Sequence, residues 1–310
     1  MISHRRTALG ALLLALTAAV AAASGARPSS ARAAADAAAA VPRIVFPLLS
    51  DVPVYDNYGD PRVNGSHAGI DIEGAPRRTP VLAAEAGRVR WHTTSPRAGC
   101  MLYLYGASGT TYIYIHLNND LTLRNDNRGR CADTAYAGPD DARVTAGELI
   151  AWNGDSGDAD GNPHLHFEVH PKDGPDVNPL PFLKKAERLL FPGRLGTRFA
   201  LGLRGVLVGV GPGRLTVRAS AVRWWPNGRW VTLDDRVVTL RLPADAAIPG
   251  FGGTRGGASR AGATDEVTVF TAPAKVTAEA LRGEVGALRA DRILEQDGSV
   301  LDLEPTQPDG

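Results

Sequence analysis

The stretch Asn162–His170 alternates polar and apolar side chains, and it constrains the fold of this chain more than any other feature. Its sequence, Asn-Pro-His-Leu-His-Phe-Glu-Val-His, has a period of two residues, which is typical of a β-strand with one apolar and one polar face. His164 and His166 then point to the same side, with Cβ atoms roughly 6–7 Å apart. Two imidazoles on one rigid face could bind a metal ion together, or one could bind it while the other moves a proton. A polar strand face in water is the alternative, and this stretch alone does not choose between them.

The N-terminus has the order of regions found in a secretory signal peptide. A short basic segment, Met1–Arg6, precedes the apolar run Ala8–Ala23, and small residues follow. Cleavage motifs of the A-x-A kind occur at Ala21–Ala23 and Ala33–Ala35. An uncleaved membrane anchor is disfavoured, because the apolar run is shorter than the roughly 20 residues that a membrane span needs. We therefore predict a signal peptide and flexible exit segment over residues 1–35, and a secreted or cell-envelope protein.

Two cysteines, Cys100 and Cys131, are the only ones in the chain. Compartments outside the cytoplasm do not keep thiols reduced, so a lone pair in an exported protein predicts a disulfide. In the chain-entropy model, closing a loop of this length stabilises the fold by about 3–4 kcal/mol. The alternative, a cysteine nucleophile or zinc ligand, has no supporting spacing around either residue.

Short apolar runs separated by Gly, Pro, Asn and Asp extend from residue 43 to residue 183. No segment there has a sustained apolar period of 3.6 residues, so we predict one mainly β domain over 43–183. Its strands are predicted at Val81–Trp91, Met101–Tyr105, Thr111–Leu117, Glu148–Trp152 and His164–Val169. Gly106–Gly109 is predicted to be a hairpin turn. Asn118–Asp141 is polar and patternless, which predicts a long surface loop of a kind that is often functional.

A second domain is predicted over residues 198–305, after a short helix and linker at 184–197. About six strands with the spacing of a small β-barrel suggest an OB-type fold. They are predicted at Phe199–Val210, Arg214–Trp224, Arg229–Leu242, Glu266–Phe270 and within Arg282–Leu303, where Asp297–Gly298 is a turn. The segment Pro249–Ala263 is rich in glycine and predicts a mobile loop. This half contains no His and no Cys, so we expect the chemistry to lie in the first domain.

Three tryptophans cluster in the second domain. They are Trp224, Trp225 and Trp230. An exposed platform for a ligand is one interpretation, and buried core aromatics are the preferred one.

In the first domain, His67 and Asp71 lie four residues apart in the segment Ser66–Ile72. A glycine and two β-branched residues between and beside them argue against a helix. On an extended strand the two side chains would lie about 13 Å apart, too far to share an ion. A bend at Gly69 would bring them together, because glycine tolerates dihedral angles that other residues avoid.

Five polar residues of this domain together meet the needs of a hydrolytic zinc site. They are His67, Asp71, His116, His164 and His166. Such a site needs three nitrogen or oxygen ligands and an open position, while nearby groups move protons and stabilise the oxyanion. Two His and one Asp as ligands, with two His left for chemistry, satisfy this requirement. The sequence alone leaves open which of His164 and His166 binds the metal.

The same motifs, in this order, resemble the lysostaphin/LytM-type zinc metallopeptidases of bacterial cell walls. The motifs are His67-x-x-x-Asp71, Tyr114-x-His116 and Pro163-His-Leu-His-Phe-Glu168. The resemblance implies that His67, Asp71 and His166 bind zinc, and that His116 and His164 orient water and stabilise the tetrahedral intermediate. It also implies the duplicated hybrid motif fold, a small antiparallel β-sheet domain with a groove for a peptide, and hydrolysis of peptide bonds in peptidoglycan.

The resemblance covers roughly residues 45–183, and the chain departs from the family pattern in three places. The loop Asn118–Asp141 is longer than expected, the cysteine pair is not a general feature, and the approach to the His-x-His strand is acidic. Three aspartates lie in that approach: Asp155, Asp158 and Asp160. They lack the oxygen-ligand pattern of an EF-hand, so we predict a solvated acidic loop. The departures leave the substrate preference open.

From these observations we expect an exported zinc metalloendopeptidase that cuts peptidoglycan cross-links, with a C-terminal domain that contacts the wall or a protein partner. The alternative is a catalytically silent LytM-type activator or binding protein for another wall hydrolase, but a binding module has no physical need for all five polar residues. Hydrolysis of a secreted or glycine-rich protein is a third interpretation, because groove specificity lies in loops. The formal charge of +1 and the absence of a basic block in the mature chain give nucleic-acid binding no support, and no membrane span is expected after signal cleavage.

Overall fold

A computed structural model describes residues 41–63, 65–93, 95–225, 228–242, 246–247, 266–295, 300–301 and 304–305. The described chain is built mainly of antiparallel strands, so the predicted fold class is confirmed. The predicted signal peptide, the glycine-rich loop Pro249–Ala263 and the turn Asp297–Gly298 lie outside the described residues. None of the described helices has the length and apolar character needed to cross a membrane.

The elements are numbered in chain order. The strands are β1 (Pro61–Arg62), β2 (Gly65–Ser66), β3 (Ile70–Glu73), β4 (Pro80–Leu82), β5 (Gly87–His92), β6 (Cys100–Gly106), β7 (Thr111–Leu117), β8 (Arg143–Val144), β9 (Leu149–Trp152), β10 (His164–His170), β11 (Arg198–Phe199), β12 (Leu201–Gly211), β13 (Arg214–Trp224), β14 (Val231–Arg241), β15 (Ala246–Ala247), β16 (Glu266–Thr271), β17 (Ala274–Lys275), β18 (Ala290–Leu294), β19 (Val300–Leu301) and β20 (Glu304–Pro305). The helices are α1 (Cys131–Thr134), α2 (Leu180–Leu183) and α3 (Ala278–Arg282), and 3-10 turns lie at Gly157–Ala159 and Pro171–Asp173.

The first six-stranded sheet has the strand order β3-β10-β7-β6-β5-β8, and neighbouring strands are antiparallel. The strand β10 therefore lies between β3 and β7. Its register places His166 opposite Asp71 on one side and opposite Ile115 on the other. This pairing brings together residues that are 95 positions apart along the chain, which alternation within one strand cannot reveal.

The apolar face of β10 lies at the centre of the first core. Leu165, Phe167 and Val169 are fully buried. The Phe167 ring packs edge-on against Tyr114, with ring centroids 5.2 Å apart, and stacks with Tyr112 at 6.0 Å. Burial of an aliphatic or aromatic side chain of this size stabilises a fold by roughly 1.5–3 kcal/mol. The polar residues of β10 are therefore held on the opposite face of the sheet.

The prediction of a single strand over Val81–Trp91 is wrong. The structure divides it into β4, which pairs with β9 in a separate sheet, and β5, which joins the six-stranded sheet. The chain turns between them, where the Glu85 carboxylate accepts hydrogen bonds from the Ser108 backbone N–H at 2.6 Å and the Tyr112 hydroxyl at 2.9 Å. The apolar run Val-Leu-Ala-Ala favours one continuous strand in the sequence. The corner does not show there because it is fixed by partners far along the chain.

The predicted disulfide between Cys100 and Cys131 is present, and it joins β6 to the long loop that follows β7. Most of the loop is irregular, but the short helix α1 lies inside it, which the sequence pattern did not indicate. Near its start, the buried Asp120 carboxylate accepts hydrogen bonds from the backbone N–H groups of Asp126 and Asn127, at 2.7 and 2.8 Å. These contacts order the loop beside the segment that enters β10.

A second six-stranded antiparallel sheet has the order β14-β13-β12-β16-β18-β19. Its three longest strands, β12, β13 and β14, have eleven residues each, and bulges interrupt the register between them. No pairing between the edge strands β14 and β19 is present in the described part of the chain. The OB-type barrel therefore stays a prediction.

The three tryptophans lie at the surface of the second sheet, so their preferred interpretation as core residues is wrong. Trp225 is 41% exposed, and Trp224 and Trp230 are partly buried. The Arg223 guanidinium lies over the rings of Trp225 and Trp230, at 4.6 and 4.7 Å from the centroids. Trp225 also packs against the Phe270 ring, with centroids 4.4 Å apart, so the cluster combines a cation with aromatic contacts at the surface.

The segment between the two sheets is packed rather than exposed. A helical turn occurs at α2, earlier than the helix predicted from residue 184 onwards. Leu190 and Phe191 are fully buried in an apolar cluster that joins the second six-stranded sheet to Val45, Leu49 and Leu82. The Arg236 guanidinium also donates to the carbonyl oxygens of Leu189 and Arg188, at 2.6 and 2.7 Å. The domain boundaries at 43–183, 184–197 and 198–305 stay a prediction.

Candidate metal centre

Three of the predicted site residues, His67, Asp71 and His166, each direct one side-chain atom to a common point. His67 Nε2 lies 3.0 Å from Asp71 Oδ1 and 2.8 Å from His166 Nδ1. The third separation, between His166 Nδ1 and Asp71 Oδ1, is 2.9 Å. Both imidazoles are buried and the Asp71 carboxylate is nearly so. Within the described residues, this is the group of three or more His, Cys, Asp or Glu side chains whose geometry fits a metal ion.

The fold assembles this group in two ways. Pairing of β3 with β10 places Asp71 opposite His166. His67 comes from the short segment between β2 and β3, where the chain bends at Gly69, as the sequence analysis predicted. Gly69 does not have a positive φ, so the bend does not use the left-handed region that favours glycine. A Cβ at this position would lie 2.6 Å from the Phe167 carbonyl oxygen and 2.8 Å from His166 Nε2, so glycine is required for space.

Hydrogen bonds on the far side of each imidazole set its tautomer. His67 Nδ1 lies 2.6 Å from the carbonyl oxygen of Asn57, and His166 Nε2 lies 2.9 Å from Glu168 Oε1. Both partners accept hydrogen bonds, so these two ring nitrogens carry the protons. In their neutral forms the rings therefore present unprotonated Nε2 of His67 and Nδ1 of His166 to the Asp71 carboxylate. Three acceptors that face one another in this way are held together by a cation, which is either a proton on His166 or a metal ion.

The donor set fits zinc. Zn²⁺ is commonly bound by His nitrogen and carboxylate oxygen, whereas Ca²⁺ and Mg²⁺ prefer oxygen ligands alone. Tetrahedral bonds of about 2.0–2.1 Å place neighbouring ligand atoms roughly 3.3 Å apart, close to the separations between these three atoms. The other carboxylate oxygen, Asp71 Oδ2, accepts a hydrogen bond from Arg62 Nη2 at 2.7 Å. Arg62 therefore leaves Oδ1 free to face the metal position.

His116 and His164 lie beside this group without joining it. Their ring centroids are 4.8 Å apart. His116 Nδ1 donates to the Ser156 carbonyl oxygen and His164 Nδ1 to the Asn162 carbonyl oxygen, both at 2.8 Å. Each ring therefore keeps its Nε2 for contacts in the cleft, and His164 Nε2 is 3.6 Å from Asp71 Oδ1. The structure thus brings all five predicted site residues together and places His166, rather than His164, in the three-atom group.

The backbone and surroundings of His116 are unusual. Its φ is 60°, a left-handed conformation that is uncommon for a residue other than glycine and that often marks a functional site. Burial lowers the pKa of His116 to about 4, and the nearby His164 and His166 act in the same direction, against the Ser156 carbonyl. The imidazole is therefore neutral at pH 7 and able to accept a proton.

The five residues line one cleft of about 690 Å³. Its walls also include Asn57, Asp60, Pro61, Arg62, Ser66, Ala68, Glu73, Arg97, Asp158, Ala159, Asp160 and Asn162. No residue of the loop Asn118–Asp141, which is described throughout, lines the cleft. The loop contacts the cleft wall through Asp160, whose carboxylate accepts hydrogen bonds from Asn125 and Asn127.

The acidic approach to β10 is not simply a solvated loop. Asp155 is fully buried and accepts hydrogen bonds from the Arg77 guanidinium and from the Gly161 backbone N–H. Asp160 Oδ1 accepts from the side-chain amides of Asn125 and Asn127, at 2.7 and 2.9 Å. The prediction is therefore wrong for Asp155, and both contacts tie the approach to its neighbours.

Several residues that complete the site were missed from the sequence. Asn57 holds two of the three residues of the converging group. Its carbonyl oxygen accepts a hydrogen bond from His67, and its side-chain Oδ1 accepts one from the Asp71 backbone N–H at 3.1 Å. No sequence signal marks Asn57 or Arg62. Glu168 had a signal, because the two-residue period of β10 places it on the same face as His166.

The charges around His166 set a pH dependence. Burial alone would lower the pKa of His166, but hydrogen bonds to Asp71 and Glu168 outweigh it and raise the pKa to about 9. Burial would raise the pKa of Asp71, but the hydrogen bond to His166 and the nearby His164 and His67 outweigh it and hold the pKa well below its usual range. Without metal, a proton on His166 therefore neutralises part of the negative charge at the centre, and zinc has to displace it.

We expect metal-free protein to lose stability, and zinc affinity to rise, as the pH increases from about 6.5 to 9. The folded-state pKa of His166 lies above the unfolded value, so its contribution is complete below about 6.5 and is lost toward 9. The loss is on the order of 1–3 kcal/mol, and affinity gains up to about tenfold per pH unit. Denaturant unfolding and chelator competition at pH 6, 7.5 and 9 measure both quantities. Zinc affinity that falls with pH would contradict the assignment.

No protein-family model and no curated protein matches the chain. Solved structures do match. The catalytic domain of lysostaphin from Staphylococcus simulans is 26% identical, over 44% of this chain and 95% of that one, with a TM-score of 0.35. A zinc-containing peptidase from Vibrio cholerae is 24% identical, over 44% of this chain and 39% of that one, with a TM-score of 0.34. A chain of the SpoIIIAH–SpoIIQ complex is 19% identical, over 45% and 99%, with a TM-score of 0.34.

Lysostaphin, LytU and a lytM-type endopeptidase are thus among the solved structures to which the chain is similar. The TM-scores of these matches are low. The function is accordingly inferred from the geometry and chemistry of the site.

Proposed function

We propose that the protein is an exported zinc-dependent metalloendopeptidase that hydrolyses peptide bonds in bacterial cell-wall peptidoglycan cross-links. The convergence of His67 Nε2, Asp71 Oδ1 and His166 Nδ1 carries this proposal. Two further imidazoles with set tautomers, those of His116 and His164, stand in the same cleft. A non-catalytic binding module has no physical need for this second pair.

The three converging atoms would hold the zinc, and each of the other two imidazoles has a separate task. When bound, zinc supplies Lewis acidity, which makes water more acidic and polarises a peptide carbonyl. His116 is neutral and presents Nε2 to the cleft, so it takes up the proton of the attacking water and passes it to the leaving amine. His164 Nε2 lies 3.6 Å from Asp71 Oδ1 and faces the cleft. In its protonated form, with Nδ1–H still on the Asn162 carbonyl, the ring donates from Nε2 to the oxygen on which negative charge develops.

The cleft beside the zinc position is proposed to admit an extended peptide with its scissile carbonyl at that position. Met101, Ile113 and Ile115 form a small buried cluster, and the register places Ile115 on the same face of the sheet as His166. The cluster thus supports the strands that carry the histidines. Peptidoglycan is proposed as the substrate because the motif set resembles wall peptidases and the N-terminus predicts export.

The C-terminal sheet is proposed to contact the wall or a protein partner. Its surface carries the exposed Trp225 with the Arg223 guanidinium against its ring, and Arg204 lies 4.5 Å from the Trp230 ring. Aromatic and arginine side chains are enriched at recognition surfaces. The sheet is packed on the first lobe through the shared apolar cluster, so a contact made there would orient the cleft.

Isolated peptidoglycan of known stem-peptide composition provides the test. We expect new amino groups to appear on incubation with zinc-loaded protein, and the masses of the released fragments to correspond to cleavage within the cross-linking peptides. Cleavage of glycine-rich protein but not of peptidoglycan would show that the proposed substrate is wrong. Metal-free protein that releases nothing itself but stimulates a second wall hydrolase would contradict the proposed enzyme activity and support a silent activator.

A further inference from the structure

Glu168 and His170 follow His166 on the polar face of β10, and the proposed catalytic steps do not use them. Glu168 Oε1 lies 2.9 Å from His166 Nε2, and Glu168 Oε2 lies 2.7 Å from His170 Nε2. His170 Nδ1 in turn lies 2.9 Å from the Gly174 carbonyl oxygen. The side chains of Glu168 and His170 are 13% and 19% exposed. A continuous chain of hydrogen bonds therefore runs from the metal centre to a backbone carbonyl.

We infer that Glu168 is a positioning residue which, held by His170, fixes the ring orientation and tautomer of His166 so that Nδ1 faces the zinc. The inference deepens the proposed function and rests on it, since it concerns the same zinc site. Glu168 itself does not reach the three-atom group. It acts on the metal only through His166.

The tautomer matters because the two nitrogens of a neutral imidazole are not equivalent. A ring with its proton on Nδ1 has no lone pair at the metal position and does not bind zinc through that atom. A carboxylate that accepts from Nε2–H stabilises the competent tautomer and raises the basicity of the ligand. Glu168 is placed to do this from the far side of the His166 ring.

His170 keeps Glu168 in this position. Its Nδ1 faces a carbonyl and its Nε2 faces a carboxylate, so a protonated ring donates from both nitrogens, and the contact with Glu168 raises the pKa of His170. The turn that brings the Gly174 carbonyl back is held by two residues with φ of 55°, Lys172 and Asp173. The Thr111 hydroxyl donates to the Asp173 carboxylate at 2.9 Å, which ties this turn to β7.

The backbone at Gly69 completes the arrangement. A Cβ there would lie 2.8 Å from His166 Nε2 and 3.0 Å from Glu168 Cγ. The absence of a side chain thus allows the chain to pass directly over the contact between His166 and Glu168. This close packing limits the positions open to both side chains.

The test compares zinc affinity and the His166 tautomer in Glu168→Ala, Glu168→Gln and a matched control. The control is Glu148→Ala, which removes another partly buried carboxylate of the same lobe. Glu148 is 19% exposed and accepts a hydrogen bond from the Thr145 backbone N–H at 3.0 Å, away from the cleft. Zinc affinity is measured by competition with a chromophoric chelator, and the tautomer by ¹⁵N NMR of the histidine rings in zinc-loaded protein.

We expect Glu168→Ala to weaken zinc binding by about tenfold to a hundredfold and Glu168→Gln by about threefold to tenfold, because the amide oxygen still accepts from Nε2–H. Glu148→Ala should stay within about twofold of the wild type. Unchanged zinc affinity in both Glu168 variants, with His166 still bound through Nδ1, would overturn the inference. If Glu168→Ala does not fold, Glu168→Gln decides by the same criterion.

The outcomes also separate this inference from the proposed function. Wild-type protein that binds no zinc would overturn both. Wild-type protein that binds zinc without cleaving peptidoglycan, but loses affinity in the Glu168 variants, would overturn the proposed hydrolase and support the positioning role. Cleavage by wild-type protein together with unaffected Glu168 variants would leave the hydrolase and remove the positioning role.

Discussion

Replacing His116 by alanine is expected to lower the rate of peptide-bond hydrolysis by at least about a hundredfold while leaving zinc bound. His116 lies in the cleft with its Nδ1 held by the Ser156 carbonyl, and none of its atoms belongs to the converging group of His67, Asp71 and His166. Its loss removes a proton acceptor and leaves the metal ligands in place. Zinc content after dialysis and the release of amino groups from peptidoglycan measure the two effects separately.

The contrasting variant is His67→Ala, which removes one of the three converging atoms. This variant should lose hydrolysis and also weaken zinc binding by more than about a hundredfold. The loss of a residue that only hydrogen-bonds to a metal ligand weakens zinc binding by less than that. The two variants remove the same kind of side chain from the same cleft. Equal zinc loss in His116→Ala and His67→Ala would therefore contradict the division of roles between them.

Replacing Gly69 by alanine is expected to disable the metal centre without removing any ligand. The added Cβ would lie 2.6 Å from the Phe167 carbonyl oxygen and 2.8 Å from His166 Nε2, so the β10 backbone or the His166 ring has to move. Overpacking of this kind costs about 1–3 kcal/mol. We expect zinc affinity to fall by at least about tenfold, as measured by chelator competition, together with a lower free energy of unfolding for the metal-free protein.

The matched control for that substitution is Gly138→Ala. Gly138 lies in the long loop, has no positive φ, and has no heavy atom within 4 Å of the position that a Cβ would take. It should keep wild-type zinc affinity and stability. If Gly69→Ala behaves like Gly138→Ala, the close approach between Gly69 and His166 does not constrain the centre.

The features that the sequence predicted correctly depend on local pattern or on pairs of rare residues. The two-residue period of Asn162–His170 predicted β10 and its polar face. The strand and turn pattern predicted the hairpin of β6 and β7. The cysteine count predicted the Cys100–Cys131 bridge. Each of these signals is contained within a few residues or within the composition of the chain.

The assignment of His166 rather than His164 to the three-atom group could not be derived from residues alone. It depends on the register between β3 and β10, which pairs His166 with Asp71 and His164 with Glu73. A shift of the pairing by two residues would keep every polar side chain on the same face and exchange the two histidines. Only the resemblance to wall peptidases distinguished the two histidines at that level.

Other parts of the site had no sequence signal because they use backbone atoms or distant partners. The tautomers of His67 and His116 are set by carbonyl oxygens of Asn57 and Ser156, and any residue type supplies a carbonyl. The Arg62 contact with Asp71 depends on a two-strand hairpin that folds over the cleft. The turn between β4 and β5 has the same origin, since its Glu85 anchor contacts residues more than twenty positions away.

The measurement that tests the proposed activity most directly is hydrolysis of isolated peptidoglycan as a function of zinc occupancy. Metal-free protein is titrated with zinc, bound metal is quantified for each sample, and new amino groups are counted over time. We predict that the rate rises in proportion to occupancy, reaches its limit at one zinc per chain, disappears on chelation and returns with added zinc. A rate that is the same in metal-free and loaded protein, or fully loaded protein that releases no amino groups, would contradict a zinc endopeptidase built on His67, Asp71 and His166.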